Sequence, residues 1–564
     1  MRQLIECVPN ISEGRDMNII NQVTAEIEKV EGVKLLDVDP GATTNRTVIT
    51  FVGEPEPVCE AAFRVVKKAA ELIDMRQHHG AHPRQGATDV CPLIPVSGIS
   101  MEQTVEYAHK LAERIGSELE IPIYCYENAA KIAERRNLAY CRTGEYESLA
   151  TRLGTAQWCP DYGPNKWNTH TAQTGATQVG ARDFLVAINY NLNTTSTRRA
   201  NAIAFDVREK GRPQREGGKP SGKIMKDAEG NNIMIPGTLK GTKAIGWYIE
   251  DYGIAQVSMN ITSIKVAPVH KCFDEVCRCA SNRGVRVTGC EIVGLIPKSV
   301  LIDAGRYYLA KQHRSLGVGE DEIMKIAIKS MGLDDLKPFN PKEKVIEFLI
   351  EDKAKKLVDL TCTGFCNETA SESPAPGGGS VSAYMGALAA SLGTMVANLT
   401  GGKAAYDDEW EKFSDVAVHG QQLKDELLHL VDEDTNAFNK IMNAFGLPKK
   451  TDEEKAARGA AIQEATRFAT EVPFKTMQKS YEAFQVCRAM VEWGNPASVT
   501  DGGVGALAAR SAVMGAHLNV KINASSLKDE DFKSRILKDA ADLEAAAIKE
   551  EAEIIAIVNQ KIGL

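Results

Sequence analysis

Three of the ten histidines, His78, His79 and His82, fall within five positions, with Arg76 and Arg84 beside them. Imidazole changes charge near neutral pH, so this set of residue types suits proton transfer. Each one alone reads more simply as a structural histidine in a solvated loop. Their clustering, in a loop that leaves an amphipathic helix and enters an apolar strand, favours chemistry. A second candidate is a pair of acids, Asp432 and Asp434, on a helix whose apolar stripe is Leu427, Val431, Phe438, Met442 and Phe445. At about 100° per residue, Asp434 falls within ~60° of Val431 and onto the stripe, while Asp432 lies about 100° to the other side and faces outward. A carboxylate on a buried stripe is costly unless partnered, or else its pKa rises. Asp434 therefore reads as a capped structural acid or as a proton-transfer acid with a raised pKa, and the second is favoured. Asn495, Asp501, Asn519 and Asn523, polar residues in apolar C-terminal helices, are candidates to complete that site.

Other stretches are weighed against simpler roles. Val8-Pro9-Asn10-Ile11-Ser12-Glu13-Gly14-Arg15 is a polar turn after a strand, Asp37-Val38-Asp39 ends a strand, and Asn45-Arg46-Thr47 starts the next. Strand ends gather at the edges of such a unit, which would bring these stretches toward the His82 loop, but for each alone turn formation is the slightly favoured reading. Pro376-Gly377-Gly378-Gly379-Ser380 opens a helix and is either an anion site or an N-cap. It lacks the Gly-Lys-Ser/Thr ending of a P-loop, and Gly503-Val504-Gly505 has no strand before it, so neither is a nucleotide motif. Arg208 to Lys226 carries seven basic residues and two acidic ones, either a solvated insertion or a contact for a small polyanion.

A regular order of elements must position these residues. Leu4–Val8, Val33–Val38, Arg46–Val52 and Thr88–Val96 read as strands, and 17–30 and 57–74 as helices. Pro92 and Pro95 predict an edge or bulged position for the last strand. Ser100 with Gln103 predicts a capping box, and Ile121–Tyr126 another strand. The order βαββαβ is the split plan of ferredoxin-like sandwiches. It returns in Phe184–Leu192, 196–208, Ala244–Ile249, Ala255–Ile261, 268–282 and Cys290–Ile296. Two α/β subdomains with a groove between them are expected. Beyond about 357 the patterns are helical: 380–399, 408–446, 452–489, 501–521 and 529–560. The domains are drawn at 1–181, 182–350 and 357–564, with 351–356 as linker.

Composition narrows the class. With 564 residues, 43% hydrophobic and 25% charged, the chain can bury several cores. A net charge of −8 argues against general nucleic-acid binding. The thirteen scattered cysteines, several in apolar runs, read as buried free thiols in a reducing compartment, with no zinc spacing. Met1–Ile5 reads as the start of a strand and not as a signal peptide. The uncharged run 373–402 is judged too weakly apolar to span a membrane and is expected to pack among helices. A cytoplasmic, metal-free protein is expected.

The motifs together resemble a known family. Val8–Gly14, Leu36-Asp37-Val38-Asp39, Asn45-Arg46-Thr47-Val48 and His82-Pro83-Arg84-Gln85-Gly86-Ala87 are similar to the N-terminal half of formimidoyltransferase-cyclodeaminase. Pro376–Ser380, Val431-Asp432-Glu433-Asp434, Gly494-Asn495 and Asn519-Val520-Lys521-Ile522-Asn523 are similar to its cyclodeaminase half. The resemblance spans nearly the whole chain. It implies a glutamate formimidoyltransferase that moves the formimidoyl group of N-formimidoylglutamate to N5 of tetrahydrofolate. A formimidoyltetrahydrofolate cyclodeaminase then gives 5,10-methenyltetrahydrofolate and ammonia, within histidine degradation.

By that resemblance His82 is the transferase catalytic histidine and Asp434 the cyclodeaminase acid. Substrate or folate binding is carried over to Asn10, Asp39, Arg46, Arg84, Gly377, Gly378, Gly379, Ser380, Asn495, Asp501, Asn519 and Asn523. Gly163, Pro164, Asn165, Lys166, Trp167, Asn168, Thr169, His170, Thr171 and Ala172 align with the folate-binding segment. Polyglutamylated tetrahydrofolate as acceptor and a homo-oligomer of dimers in a larger ring are also implied, with no membrane insertion. Two other readings stay open: a formyltransferase paired with a methenyltetrahydrofolate cyclohydrolase, and an inactive folate-binding scaffold. The presence of both His82 and Asp434 in matching motifs speaks against the scaffold.

Overall fold

A computed structural model describes residues 3–42, 45–80, 83–350 and 356–563. They fall into two compact units, Met1–Leu301 with Met331–Glu351, and Ile302–Ser330 with Asp352–Leu564.

The first unit begins with β1 (Leu4–Cys7) and β2 (Asn10–Ile11), two lengths of one strand interrupted at Val8-Pro9. Then come α1 (Met17–Glu28), β3 (Val33–Gly41), β4 (Arg46–Gly53), α2 (Pro55–Leu72) and β5 (Thr88–Ser97). Both β1 and β2 pair antiparallel with β4 on one side and β5 on the other, and β3 lies outside β4. This is the expected split plan. After α3 (Met101–Glu118), β6 (Ile123–Glu127) and β7 (Thr177–Ala181) extend the sheet in parallel, in the order β5-β7-β6. Ser100 and Gln103 form the expected capping box on α3.

Strand alternation divides this sheet into two faces. Ile5, Cys7, Ile49, Phe51, Cys91 and Leu93 are buried in the core with Ile20, Val65 and Ile115 of the three helices. The opposite face carries Val8, Asn10, Arg46, Val90, Pro92 and Tyr126 around a cavity. Of the edge or bulged position expected for the proline-bearing strand, the edge is corrected and the bulge is found: β5 is interior, flanked by β1/β2 and β7, with register shifts along its ladder to β1/β2. Its prolines are tolerated because register shifts at Leu4/Ile5 and Asn10/Ile11, and the gap at Val8-Pro9, relax the ladder beside them.

The second α/β subdomain repeats the plan with β8 (Val186–Leu192), α4 (Thr197–Val207), β9 (Thr242–Ile249), β10 (Ile254–Ile261), α5 (Val269–Ser281) and β11 (Val287–Val293). Its order, β9-β10-β8-β11, matches that of β3-β4-β1-β5. The basic insertion between α4 and β9 is mostly exposed, with one short ladder of Arg212–Pro213 on Met234–Ile235.

The second unit is helical. It includes Ile302–Ser330, parts of α6 (Lys298–Lys311) and α7 (Glu320–Met331), which the sequence reading assigns to the second α/β subdomain. A turn fixes that segment here: Leu316 N donates to Ser414 Oγ at 3.0 Å, and Asn398 Nδ2 donates to the Gly317 carbonyl at 2.8 Å. The remaining long helices are α8 (Gly378–Gly401), α9 (Trp410–Phe445), α10 (Asp452–Trp493), α11 (Val499–Ala524) and α12 (Glu530–Ile562). By length and composition α8 could cross a membrane, with hydropathy 1.3 over its most apolar window. Within that window 61% is buried, which is the packing role expected of it.

Candidate active sites

A cavity of about 1270 Å³ lies on the open face of the first sheet, with Lys243, Thr262, Ser263 and Val266 of the second subdomain also lining it. Asn10, Arg46 and Arg84 contribute to it, as do His79, Gly80 and Pro83 of the histidine loop. Ala81 and His82 themselves lie outside the described residues.

The posts of that loop are well tied. His78 is buried, its Nε2 2.8 Å from the Asn45 carbonyl, and its Nδ1 accepts from Arg84 Nε at 3.2 Å. An accepting Nδ1 puts the proton on Nε2, so His78 is neutral and fully engaged. Burial, the largest cause, lowers its pKa. Arg84 is also held by Glu147 at 2.7 Å and Glu145 at 3.3 Å. Asn45, at a positive φ of 48°, accepts from Gly14 N at 3.0 Å and donates to the His79 carbonyl at 3.1 Å. The 8–15 turn, the start of β4 and the histidine loop are thus joined through one side chain, as their motifs suggested.

Deeper in the floor, Arg46 Nε donates to Asn10 Oδ1 at 2.9 Å and its Nη1 to Asp89 Oδ2 at 2.5 Å. Arg142 reaches the same Asp89 oxygen. Sequence reasoning missed both Asp89 and Arg142. A charge inside the apolar run of β5 was the available signal for Asp89, whereas Arg142 comes from an irregular stretch and carried none.

Two other assignments land elsewhere. Asp39 is exposed on β3, but it shares a row with Val48 and Asn10, so it faces the same side about 10 Å from Asn10. None of Gly163 to Ala172 lines the cavity. Their side chains mainly make local structure: Asn168 caps a short helix with Thr171, Asn165 accepts from Gly154 N, and His170 bonds the Leu119 carbonyl. Tyr146 links the stretch to the cavity-lining Arg84: its hydroxyl donates to the Ala172 carbonyl while Arg84 lies over its ring.

Glu6 is a further buried acid, on the strand face opposite Ile5 and Cys7. Burial raises its pKa from 4.5 to about 7, against a lowering influence of Arg182. A pKa higher in the folded state means the stabilising contribution is complete below 4.5 and is lost as pH rises through 7. The Glu6→Gln variant is expected to lose a decline of roughly 3 kcal/mol between those limits. Unfolding of both forms in denaturant from pH 4.5 to 8 checks this, and identical pH slopes would refute it.

In the second unit, Asp434 meets the start of α8. Ser380 N donates to Asp434 Oδ2 at 2.9 Å and Ser380 Oγ to the same oxygen at 3.0 Å. Gly377, the N-cap of α8, supplies no side-chain cap, so an acid from another helix takes that place. A Cβ on Gly379 would stand 2.1 Å from Asp434 Oδ1, and only glycine admits the carboxylate. Burial raises the Asp434 pKa above 3.8, and the Ser380 bonds offset part of the rise. Asn519 closes on the same corner, its amide 3.3 Å from where a Gly378 Cβ would be. Asn523, one turn on, donates to the Ala469 carbonyl at 2.6 Å.

Asp432 does not face solvent as expected; it is partly buried and accepts from Leu357 N at 2.7 Å. The stripe also needs correction. Leu427 and Val431 are buried, but Phe438, Met442 and Phe445 are exposed, and Ala437 and Ala444 pack inward instead. Asn495 and Asp501 are not brought to Asp434. Asn495 N donates to Thr400 Oγ1 at the far end of α8, roughly 30 Å from Ser380. Among the described residues no cluster of three or more His, Cys, Asp or Glu is placed to hold a metal ion.

Known proteins share both halves. Residues 4–182 match the family described as Formiminotransferase domain, N-terminal subdomain, and 187–351 the Formiminotransferase domain. Residues 361–542 match the family described as Formiminotransferase-cyclodeaminase. Over 563 residues, all of both chains, the sequence is 39% identical to the formimidoyltransferase-cyclodeaminase of Gallus gallus. The chain belongs to the formimidoyltransferase-cyclodeaminase family. Relatives named for a single activity cover parts of it. A glutamate formimidoyltransferase of Streptococcus pyogenes serotype M1 is 41% identical over 309 residues, 55% of this chain and 94% of that protein. A methenyltetrahydrofolate cyclohydrolase of Methylorubrum extorquens is 38% identical over 203 residues, 36% of this chain and 98% of that protein. The formimidoyltransferase-cyclodeaminase family thus accounts for the order of the two units as well as for the motifs.

Proposed function

We propose that the chain is a bifunctional folate enzyme of histidine degradation. Its α/β unit transfers the formimidoyl group of N-formimidoyl-L-glutamate to N5 of tetrahydrofolate. Its helical unit converts 5-formimidoyltetrahydrofolate to 5,10-methenyltetrahydrofolate with release of ammonia. The observation that carries this reading is the full-length likeness to a formimidoyltransferase-cyclodeaminase, spanning both units in order.

In the first step N5 attacks the amidine carbon, losing its proton, and the glutamate nitrogen leaves with a proton. His82 is the residue for both transfers. In the second, N10 adds to the formimidoyl carbon, and the amine so formed takes a proton and departs as ammonia. Asp434, whose pKa burial raises, is the donor.

A cyclohydrolase reading of the second unit is favoured by the Methylorubrum extorquens relative. One assay separates the two. With N-formimidoylglutamate and tetrahydrofolate, the full chain is expected to release one ammonia per methenyltetrahydrofolate formed. Formimidoyltetrahydrofolate left unchanged while added methenyltetrahydrofolate is hydrolysed would establish the cyclohydrolase instead.

The proposal extends to a polyglutamylated acceptor, a cytoplasmic location and a homo-oligomer. Among the described residues the cysteines form no disulfide, in keeping with a reducing compartment. Exposed Val504, Leu507, Leu518 and Ile522 on α11, with Leu388, Met395 and Leu399 on α8, support self-association through the helical unit.

A further inference from the structure

At the floor of the transferase cavity two guanidiniums share one buried carboxylate. Asp89 is fully buried, and one of its oxygens accepts from both Arg46 and Arg142. Its other oxygen accepts from Gln85 N at 2.9 Å, which fixes the carboxylate from below. Two guanidiniums on one carboxylate leave one positive charge, with Arg46 8% and Arg142 15% exposed at the side chain. Arg142 Nε is buried without a hydrogen-bond partner. An uncompensated charge in so dry a place is costly, and a carboxylate arriving from the cavity side relieves it through charge-assisted bonds. Arg84 cannot serve in the same way, because Glu145 and Glu147 already engage it.

We propose that Arg46 and Arg142 form a receptor for one carboxylate of the amino-acid donor, with Asp89 as the positioning residue that holds them side by side. The inference rests on the transferase reading and adds the residues that recognise the glutamate part of its substrate. The donor is favoured over the folate tail because Arg46 is joined through Asn10 to the strand end beside the histidine loop, and both donor carboxylates lie a few bonds from the carbon transferred. The folate glutamate is separated from N5 by the whole aminobenzoyl group.

The test is steady-state kinetics of the full chain with Arg142→Ala and Arg142→Lys. Three donors are compared: N-formimidoylglutamate and two analogues, each lacking one carboxylate. For Arg142→Ala the KM of the full donor is expected to rise roughly 10- to 100-fold, as for a lost charged hydrogen bond. Arg142→Lys, which keeps the charge, recovers part of the loss. The KM for tetrahydrofolate stays within about two-fold, and with one analogue the variant and wild type become equivalent. Equal losses on all three donors, or a shift in the tetrahydrofolate KM instead, would overturn the receptor. Calorimetric binding of glutamate, the amino-acid product, needs no turnover. Its affinity should fall in step, and unchanged affinity in a folded variant also overturns the proposal. A wild-type chain that binds glutamate through Arg142 yet transfers nothing would retire the transferase reading and leave the receptor standing.

Discussion

Replacing Asp434 by asparagine is expected to lower cyclodeaminase turnover on the order of 10²- to 10⁴-fold, the range for a lost general acid. The side chain keeps its shape, and an amide oxygen can still accept from the Ser380 N–H and hydroxyl, so the start of α8 stays in place. What is lost is the proton. Burial raises the Asp434 pKa, so the folded protein holds that proton at pH values where a free aspartate has released it. Wild-type turnover on supplied 5-formimidoyltetrahydrofolate is therefore expected to fall as pH rises through the raised value, and the variant to lose that limb. Ammonia release measured across pH checks both points. Full turnover in Asp434→Asn would remove the residue from the mechanism.

The complementary variant, His82→Ala, is expected to abolish transfer, again on the order of 10²- to 10⁴-fold, and to leave ammonia release from supplied 5-formimidoyltetrahydrofolate intact. His78 has both ring nitrogens engaged and cannot take a proton without breaking its bond from Arg84. Gly80 and Pro83 both line the cavity, so the loop that carries His82 borders it. Loss of both activities in a folded variant would count against the division of labour between units.

Legibility followed the range of the interactions. The helices and strands were readable because alternation and 3.6-residue spacing are local, and α2 and the βαββαβ order follow from them directly. Asp434 was readable for the same reason, since its angular place beside Val431 is fixed within one turn. The stripe beyond it was not: Phe438, Met442 and Phe445 have helical spacing, but spacing does not say whether another element covers them, and they are exposed. Asp89 and Arg142 meet across 53 positions of sequence, one of them on an irregular segment, and no local pattern encodes that. Asn495 and Asp501 show a different gap. A shared motif carries residue identity, and helix length then puts them at the opposite end of α8 from Asp434.

The two α/β halves share a strand order, but only the first is widened by the two parallel strands β6 and β7. The chain running between those strands supplies Arg142, Glu145 and Glu147 to the cavity. Repetition therefore furnishes the scaffold, and an excursion from the first half furnishes much of the charge that lines the cavity. An engineer seeking a different amino-acid donor would graft or shuffle that excursion, between Asn137 and Glu147, and leave both duplicated sheets alone.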